Sequence, residues 1–339
     1  MKNLNFIDKL LFFANSLVAF ALLLAYFLPL MPPKNFAILS VLSLGLPLLM
    51  LLNVLFFVYW LVKIKRQMIL SLIVVAFGVF LFGSLYKFSN SDKEPSAKSL
   101  SVMNFNVRLF DLYDWIPEEG TQKKIEAFVK KEQPDVLCIQ EYHPTKEVDL
   151  SYYKYKYESV KGNKIKYGQA IFSKFPIINS GSVEFPETAN NAIFADIVVK
   201  KDTIRVYNIH LQSLKIEKKV EDLTTSESEE VFMGVGKTFK MQQFQSELFL
   251  LHRAQCNYKT IVSGDFNNTA FSYVYRSIKG DMKDAFKQSG NGFGRTFNFK
   301  FFPLRIDFIL VDEAFTVNNY TTYDVQLSDH YPIKTSLSF

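Results

Sequence analysis

Three runs near the start of the chain carry no charged side chain: Leu10–Pro33, Asn35–Val62 and Gln67–Tyr86. Each reaches the roughly 20 apolar residues that a helix needs to cross a bilayer. They predict three membrane spans, at about residues 10–32, 36–62 and 67–87. A cleaved signal peptide fits poorly, because three such segments follow one another. After residue 88 the pattern changes. Ser89–Ser99 (SNSDKEPSAKS) is polar and reads as a linker, so the chain divides into a membrane region (1–88), a linker (89–99) and a large domain (100–339). In that domain, short runs of β-branched and aromatic residues end at polar positions, which predicts strands. These are Val102–Val107, Asp135–Ile139, Gln169–Phe172, Ile193–Val199, Ile204–Leu211, Thr260–Ser263 and Ile306–Val311. Thr121–Lys131 spaces Ile125, Phe128 and Val129 as a helix does, and Lys240–Gln255 predicts a second helix with Phe244, Leu248, Leu251 and Phe249 as its apolar stripe. Lys215–Lys240, with its charged run Ser226–Glu230, reads as a loop or an irregular helix. Strands outnumber helices, which predicts an α/β sandwich of mixed sheets with helical cover.

Charge alters the first impression of a basic protein. The chain has 39 Lys+Arg against 33 Asp+Glu, but nine basic and only three acidic residues lie in the first hundred, leaving thirty of each in the domain. The basicity belongs to the membrane half and is no argument for nucleic-acid binding. Lys63, Lys65 and Arg66 follow the second span, against Lys34 alone after the first. The positive-inside rule then puts the N-terminus and the Lys63–Arg66 loop in the cytoplasm and the domain outside it, with the plasma (inner) membrane as the expected location. Of the two cysteines, Cys138 sits in an apolar run and reads as a core residue. A Cys138–Cys256 disulfide is left open.

Polar groups collect where the strands end. Asp265 and Asn267 lie in SGDFNN (Ser263–Asn268), two apart, and would share a side on an extended chain. Asp329 and His330 lie in LSDHYP (Leu327–Pro332). Asn106, Glu141, His210 and Asp307 complete the set. Taken singly, each is a turn residue or a hydrogen-bonded core group. Together, four carboxylates and two histidines at strand ends point to a bound cation or anionic substrate, because unpaired buried carboxylates are costly. Hard oxygen ligands beside a titratable base suit metal-assisted attack on phosphorus.

The ordered motifs FNVR (Phe105–Arg108), IQE (Ile139–Glu141), YGQAIFSKFPI (Tyr167–Ile177), NIHLQ (Asn208–Gln212), GDFN (Gly264–Asn267), RIDFI (Arg305–Ile309) and SDHYP (Ser328–Pro332) resemble the endonuclease/exonuclease/phosphatase superfamily, of deoxyribonuclease-I-like fold. The likeness spans Ser99–Phe339 and implies a four-layer α/β/β/α sandwich behind a three-helix transmembrane region. It also implies phosphoester hydrolysis with Mg²⁺, for which Mn²⁺ could substitute. Glu141 would be the principal metal ligand, assisted by Asn106 and Asp329. Asp265 would orient or deprotonate water, with Asn267 holding that water or a phosphate oxygen. His330, oriented by Asp307, would contact the scissile phosphate, and His210 would donate to a non-bridging oxygen or the leaving group. Asn106, Asn267, His210 and Arg108 would line the substrate phosphate. Arg108 stands where abasic-site endonucleases of the superfamily have an acidic ligand, which argues against DNA repair. Thr296 in GRTFNF is a weaker match. The expected function is a membrane-tethered phosphodiesterase of endonuclease type. The alternatives are a lipid-headgroup or small-phosphoester hydrolase, and an inactive membrane-anchored binding module.

Overall fold

The computed structural model describes residues 4–83, 86–88, 98–214, 225–299 and 302–339, without the side chains of 225–228. The expected linker, apart from Lys98 and Ser99, lies outside the described residues. The chain forms two compact units. The first comprises Met1–Leu85, Lys215–Gln243 and Phe271–Arg276, and the second comprises Tyr86–Leu214, Phe244–Ala270 and Ser277–Phe339.

The first unit is built on four apolar helices: α1 (Phe6–Ala25), α2 (Pro33–Val41), α3 (Leu46–Val62) and α4 (Met68–Phe82). Asn5 caps α1, its side-chain oxygen accepting the Asp8 amide at 2.7 Å. Among the described residues, two helical stretches are long and apolar enough to cross a membrane, Phe6–Leu30 and Pro33–Val62. The third expected span is helical over only 15 residues before Gly83 ends it. At 1.5 Å per residue that is about 22 Å, short of the roughly 30 Å hydrocarbon core.

Polarity in this unit is inverted. Asn15, Asn53 and Ser71 are fully buried, while Phe13, Phe20 and Phe80 are more than 60% exposed. The inward polar groups bind helix to helix. Ser71 donates to Asn15 at 2.7 Å, and the Tyr26 hydroxyl donates to the Val74 carbonyl at 3.0 Å. Lys63 and Tyr59 both reach Asp8, at 2.5 and 2.8 Å. Gly78 leaves room for the Tyr26 ring, since a Cβ there would lie 2.1 Å from the hydroxyl oxygen.

The second unit contains two six-stranded sheets. The first comprises β1 (Ser99–Asn106), β2 (Val136–Tyr142), β3 (Tyr155–Lys161), β4 (Tyr167–Ser173), β11 (Thr316–Thr322) and β12 (Ile333–Ser338), in the order β11-β12-β1-β2-β4-β3. The second comprises β5 (Ile177–Glu184), β6 (Asn191–Val199), β7 (Asp202–His210), β8 (Lys259–Asp265), β9 (Lys283–Asp284) and β10 (Asp307–Val311), in the order β5-β6-β7-β8-β10-β9. The sheets pack face to face through Leu100, Val102, Val136, Cys138 and Ile171 from one and Ile193, Ala195, Val206, Ile261 and Ile309 from the other. Helix α5 (Thr121–Glu132) covers the outer face of the first sheet, burying Ile125 and Val129 against Met103, Phe105, Leu137 and Ile139. On the second sheet, Tyr207 meets Phe249 edge-on, with ring centroids 5.0 Å apart.

Phe249 belongs to the 29-residue helix α6 (Thr225–Arg253), which includes the charged run read as loop or irregular helix. The stripe expected on this helix needs correction. Phe249 is fully buried, but Phe244 and Leu251 are 49% and 67% exposed. The buried face instead carries Gln242, Gln243, Gln245 and Ser246. Polar residues on that face hid its period from a hydropathy reading. Cys138 and Cys256 are both free.

The alternation that builds the sheet interface also builds the site. Along β1, Leu100 and Val102 enter the apolar interior, and the same side of the strand continues as Asn104 and Asn106. On β8, Ile261 is followed at the same spacing by Ser263 and Asp265, and on β7, Val206 is followed by Asn208 and His210. Strand β10 runs antiparallel to β8 and therefore begins at this end with Asp307 before Ile309. One layer thus turns from hydrocarbon to polar within two residues on four strands.

Candidate active site

Strand register sets the spacing. Asp265 pairs with His210 across the parallel β7–β8 ladder and with Asp307 across the antiparallel β8–β10 ladder. Gly264 permits the close approach of β7, since a Cβ would lie 2.0 Å from the Ile209 carbonyl oxygen. His330 arrives from the loop before β12, its Nδ1 2.9 Å from Asp307 Oδ2 and its Nε2 3.7 Å from Asp265 Oδ2. His210 Nε2 lies 3.7 Å from the same Asp265 oxygen and 4.0 Å from Glu141 Oε1. The Asn106 amide bridges the two sheets, donating to Glu141 at 3.2 Å and to Asp265 at 3.1 Å. Glu141 sits at a register shift between β2 and β4, with φ 49°, so the bulge turns its carboxylate toward Asn106.

Arg108 and Asp329 form an ion pair at 3.2 Å at the margin of this cluster. The guanidinium also stacks over Trp115 at 4.5 Å, and the Arg108 amide donates to Asn106 Oδ1 at 3.1 Å. Residues Arg108–Asp111 all have positive φ, between 43° and 59°. Left-handed backbone costs about 1–2 kcal/mol per residue outside glycine, so this turn is held by its surroundings, including the buried Phe110. Asn267 requires a correction. The strand ends at Asp265, and Asn267 has φ 50°, so the two do not share one side of an extended chain. The Asn267 amide instead donates to Asp265 Oδ1 at 2.7 Å, and its side chain donates to the Leu211 carbonyl at 2.9 Å.

Beneath these residues lies a polar layer that adds Asn104, Gln140 and Ser263 to the expected set. Asn104 Oδ1 accepts from Gln140 at 2.8 Å and from Ser263 at 2.9 Å, and its amide reaches Asp307 at 3.3 Å. Gln140 also donates to Asn208 at 2.5 Å. Asn208 is therefore a buried brace between the sheets. Thr296 Oγ1 accepts the amides of Ile306 and Asp307, each at 3.0 Å, and Phe297 lies against the His330 ring at 4.9 Å. The period-2 continuation of polar residues into the strands was the signal that could have found Asn104 and Gln140.

Burial and crowding set the charges. Burial pushes the Asp265 carboxyl up to about 8; the His330 charge opposes this and Asp307 adds to it. Burial works to lower His330, but the Asp307 and Asp265 carboxylates outweigh it and hold the imidazole well above its ordinary value. His210 is pushed down to about 3 by burial and by the His330 charge, so it is neutral. Burial raises Glu141, and the nearby Asp329 carboxylate raises it further.

The donor set fits a hard divalent cation. Asp265, Asp307 and His330 offer ligand atoms within 4.8 Å of one another, but His330 and Asp307 already satisfy each other. Glu141 differs: it is partly open, accepts from Asn106 and is crowded by Asp329. A cation between Glu141, Asn106 and Asp329 would relieve that repulsion.

The chain belongs to the Endonuclease/Exonuclease/phosphatase family, whose model matches residues 103–330. Members of this family hydrolyse phosphoester bonds. A second model, for a domain of unknown function, matches residues 8–85. No curated protein matches the chain. Among solved structures, an endonuclease/exonuclease/phosphatase from Beutenbergia cavernae is 17% identical with TM-score 0.55, covering 71% of this chain and 72% of that one. One of the same description from Bacteroides vulgatus is 19% identical with TM-score 0.53, covering 71% and 99%. The D. rerio TDP2 structure with a single-strand DNA product is 16% identical with TM-score 0.51, covering 71% and 99%. At these identities the likeness is one of fold.

Proposed function

We propose that the protein is a divalent-metal-dependent phosphoester hydrolase tethered to a membrane, with Mg²⁺ as the ion and Mn²⁺ as a substitute. The observation that carries this reading is the convergence of Asp265, Asp307, His330, His210, Glu141 and Asn106 at one end of the sheet interface. Glu141, with Asn106 and Asp329, would hold the ion, which would supply positive charge to offset the negative charge of the phosphoryl group. Asp265, raised by burial, takes the proton of the attacking water above neutral pH. Asn267 braces Asp265 through its backbone amide and orients the water or a phosphate oxygen. His330, charged through Asp307 and Asp265, donates to a non-bridging oxygen. Neutral His210 offers one N–H to the phosphate or leaving group. Arg108, already leaning on Asp329 and Trp115, contacts a further phosphate oxygen when substrate enters.

The tether rests on the inverted polarity of the first unit, where phenylalanines face outward and Asn, Ser and Asp face inward. Exposed apolar surface of that extent needs a non-aqueous partner. We read α1, α2–α3 and α4 as three crossings, with the bilayer thinning locally around the short third, and place the catalytic domain outside the cytoplasm.

Two substrate classes follow. The DNA product bound in the TDP2 structure makes nucleic acid one. The membrane helices and the neutral charge of the domain favour a lipid headgroup or another phosphoester near the bilayer. Full-length protein in detergent, assayed for plasmid nicking beside headgroup release from phospholipid vesicles, with and without EDTA, separates them. Activity on neither with any divalent metal would leave a binding module in place of an enzyme.

A further inference from the structure

Three aromatic side chains crowd together on the surface of the catalytic unit. Tyr86 packs against Phe88 and against Phe293, with both centroid separations 4.9 Å. Phe88 is 89% exposed and Phe293 49%, so the cluster presents its faces outward. Two backbone hydrogen bonds hold it together: Lys87 N donates to the Gly292 carbonyl and Gly292 N to the Lys87 carbonyl, each at 2.9 Å. The loop carrying Phe293 is shaped to present it. Gly292 and Gly294 have φ 70° and 63°, and a Cβ on Gly294 would lie 2.4 Å from the Phe286 ring.

Such a cluster in water gains nothing from its exposed faces. Its place in the chain says what covers them. Tyr86 follows the last residue of α4, Phe82, by four residues, an extended reach of at most about 14 Å. A chain leaving a bilayer at Phe82 therefore brings Tyr86 and Phe88 into the headgroup layer, where aromatic rings are favoured. The Lys87–Gly292 bridge brings Phe293, two hundred residues later, to the same level. The loop then runs directly into the site, with Arg295 bonded to the Tyr331 hydroxyl at 2.7 Å, Thr296 on the Asp307 amide and Phe297 on His330.

We infer that Tyr86, Phe88 and Phe293 form an interfacial anchor that docks the catalytic unit on the lipid surface, so that the site acts on phosphoesters presented by the membrane. The inference rests on the tethered reading above. It differs from a tether alone because Phe293 is remote in sequence from any membrane helix.

The test uses the full chain in vesicles. Trp60 and Trp115 are replaced by Phe, and a single tryptophan is introduced by Phe293→Trp or, separately, Phe88→Trp. Vesicles of phosphatidylcholine and phosphatidylglycerol, with or without brominated acyl chains, report lipid contact, and iodide reports water. The anchor predicts that Phe293→Trp emission is blue-shifted, loses most of its intensity in brominated vesicles and is shielded from iodide. Phe293→Trp protein that floats with the vesicles yet is quenched by iodide and not by bromine would overturn the anchor and leave the tether standing. Protein that does not float with vesicles would overturn both. Phe88→Trp should follow Phe293→Trp; bromine quenching at Phe88 alone also overturns the anchor, because sequence proximity to α4 would explain it.

Discussion

Asp265 sits beside Asp307, within 3.7 Å of two histidine nitrogens, and almost wholly out of water. Its carboxyl is raised from 3.8 to about 8, so between those values the folded protein holds a proton that the unfolded chain releases. Stability therefore falls as pH rises through that window. Asp265→Asn removes the penalty. We expect its Tm above that of the wild type at pH 8, with turnover down by at least about 100-fold; a lowered Tm with intact turnover would contradict both assignments. Metal-free wild-type protein should lose thermal stability as pH rises from 5 to 8 by more than the variant does, as read by paired melts. His330 acts in the same direction with pH, though through a stabilised charge instead of a penalised one. Its raised value contributes stability that is present below its unfolded value and lost as pH climbs through the folded one. Asp307→Asn should move the NMR titration of the His330 ring to lower pH, and an unmoved titration would remove Asp307 as its partner. The Asp307–His330 pairing was legible in the sequence only through family resemblance, since 23 residues separate them. Arg305, only two residues from Asp307, pairs instead with the buried Asp284 at 2.9 Å.

Elements show where pattern reading succeeds. Strands β1, β2, β6, β8 and β10 are buried along nearly their whole length and β7 over most of its second half, and their apolar runs are plain in the sequence. Strands β5 and β11 escaped it because they are sheet edges, half exposed and mixed in composition. The other edge of the first sheet, β3, likewise opens on alternating Tyr155, Lys156 and Tyr157, and is largely exposed or half-buried. Helix α6 misled for a different reason. Its buried face is rich in glutamine, whose burial depends on partners that sequence does not display; Gln245, for instance, accepts the Gln212 amide at 2.9 Å. The correction is measurable by denaturation. Phe249→Ala should cost about 3–5 kcal/mol, the usual range for a buried aromatic. Phe244→Ser should stay within about 0.5 kcal/mol, as exposed positions do. Equal losses at both would restore the expected stripe.

The whole molecule joins an inside-out helical unit to a sandwich whose interface ends in a catalytic-type cluster. Both halves were visible in composition, because the charge-free runs stop near residue 88 and balanced charge begins. The bridge between Lys87 and Gly292 was not visible, since backbone pairing of segments two hundred residues apart leaves no local pattern. Topology is tested by a reporter fused after Phe339, which should be active only outside the cytoplasm; cytoplasmic activity would reverse the orientation. The central claim is phosphoester hydrolysis by the cluster around Asp265, and hydrolysis of bis(4-nitrophenyl) phosphate by the full-length protein in detergent tests it most directly. The account predicts turnover that EDTA abolishes, that added Mg²⁺ or Mn²⁺ restores, and that Asp265→Asn and His330→Ala each lack while remaining folded. Turnover that survives EDTA, or that either folded variant retains at near wild-type rate, would contradict it.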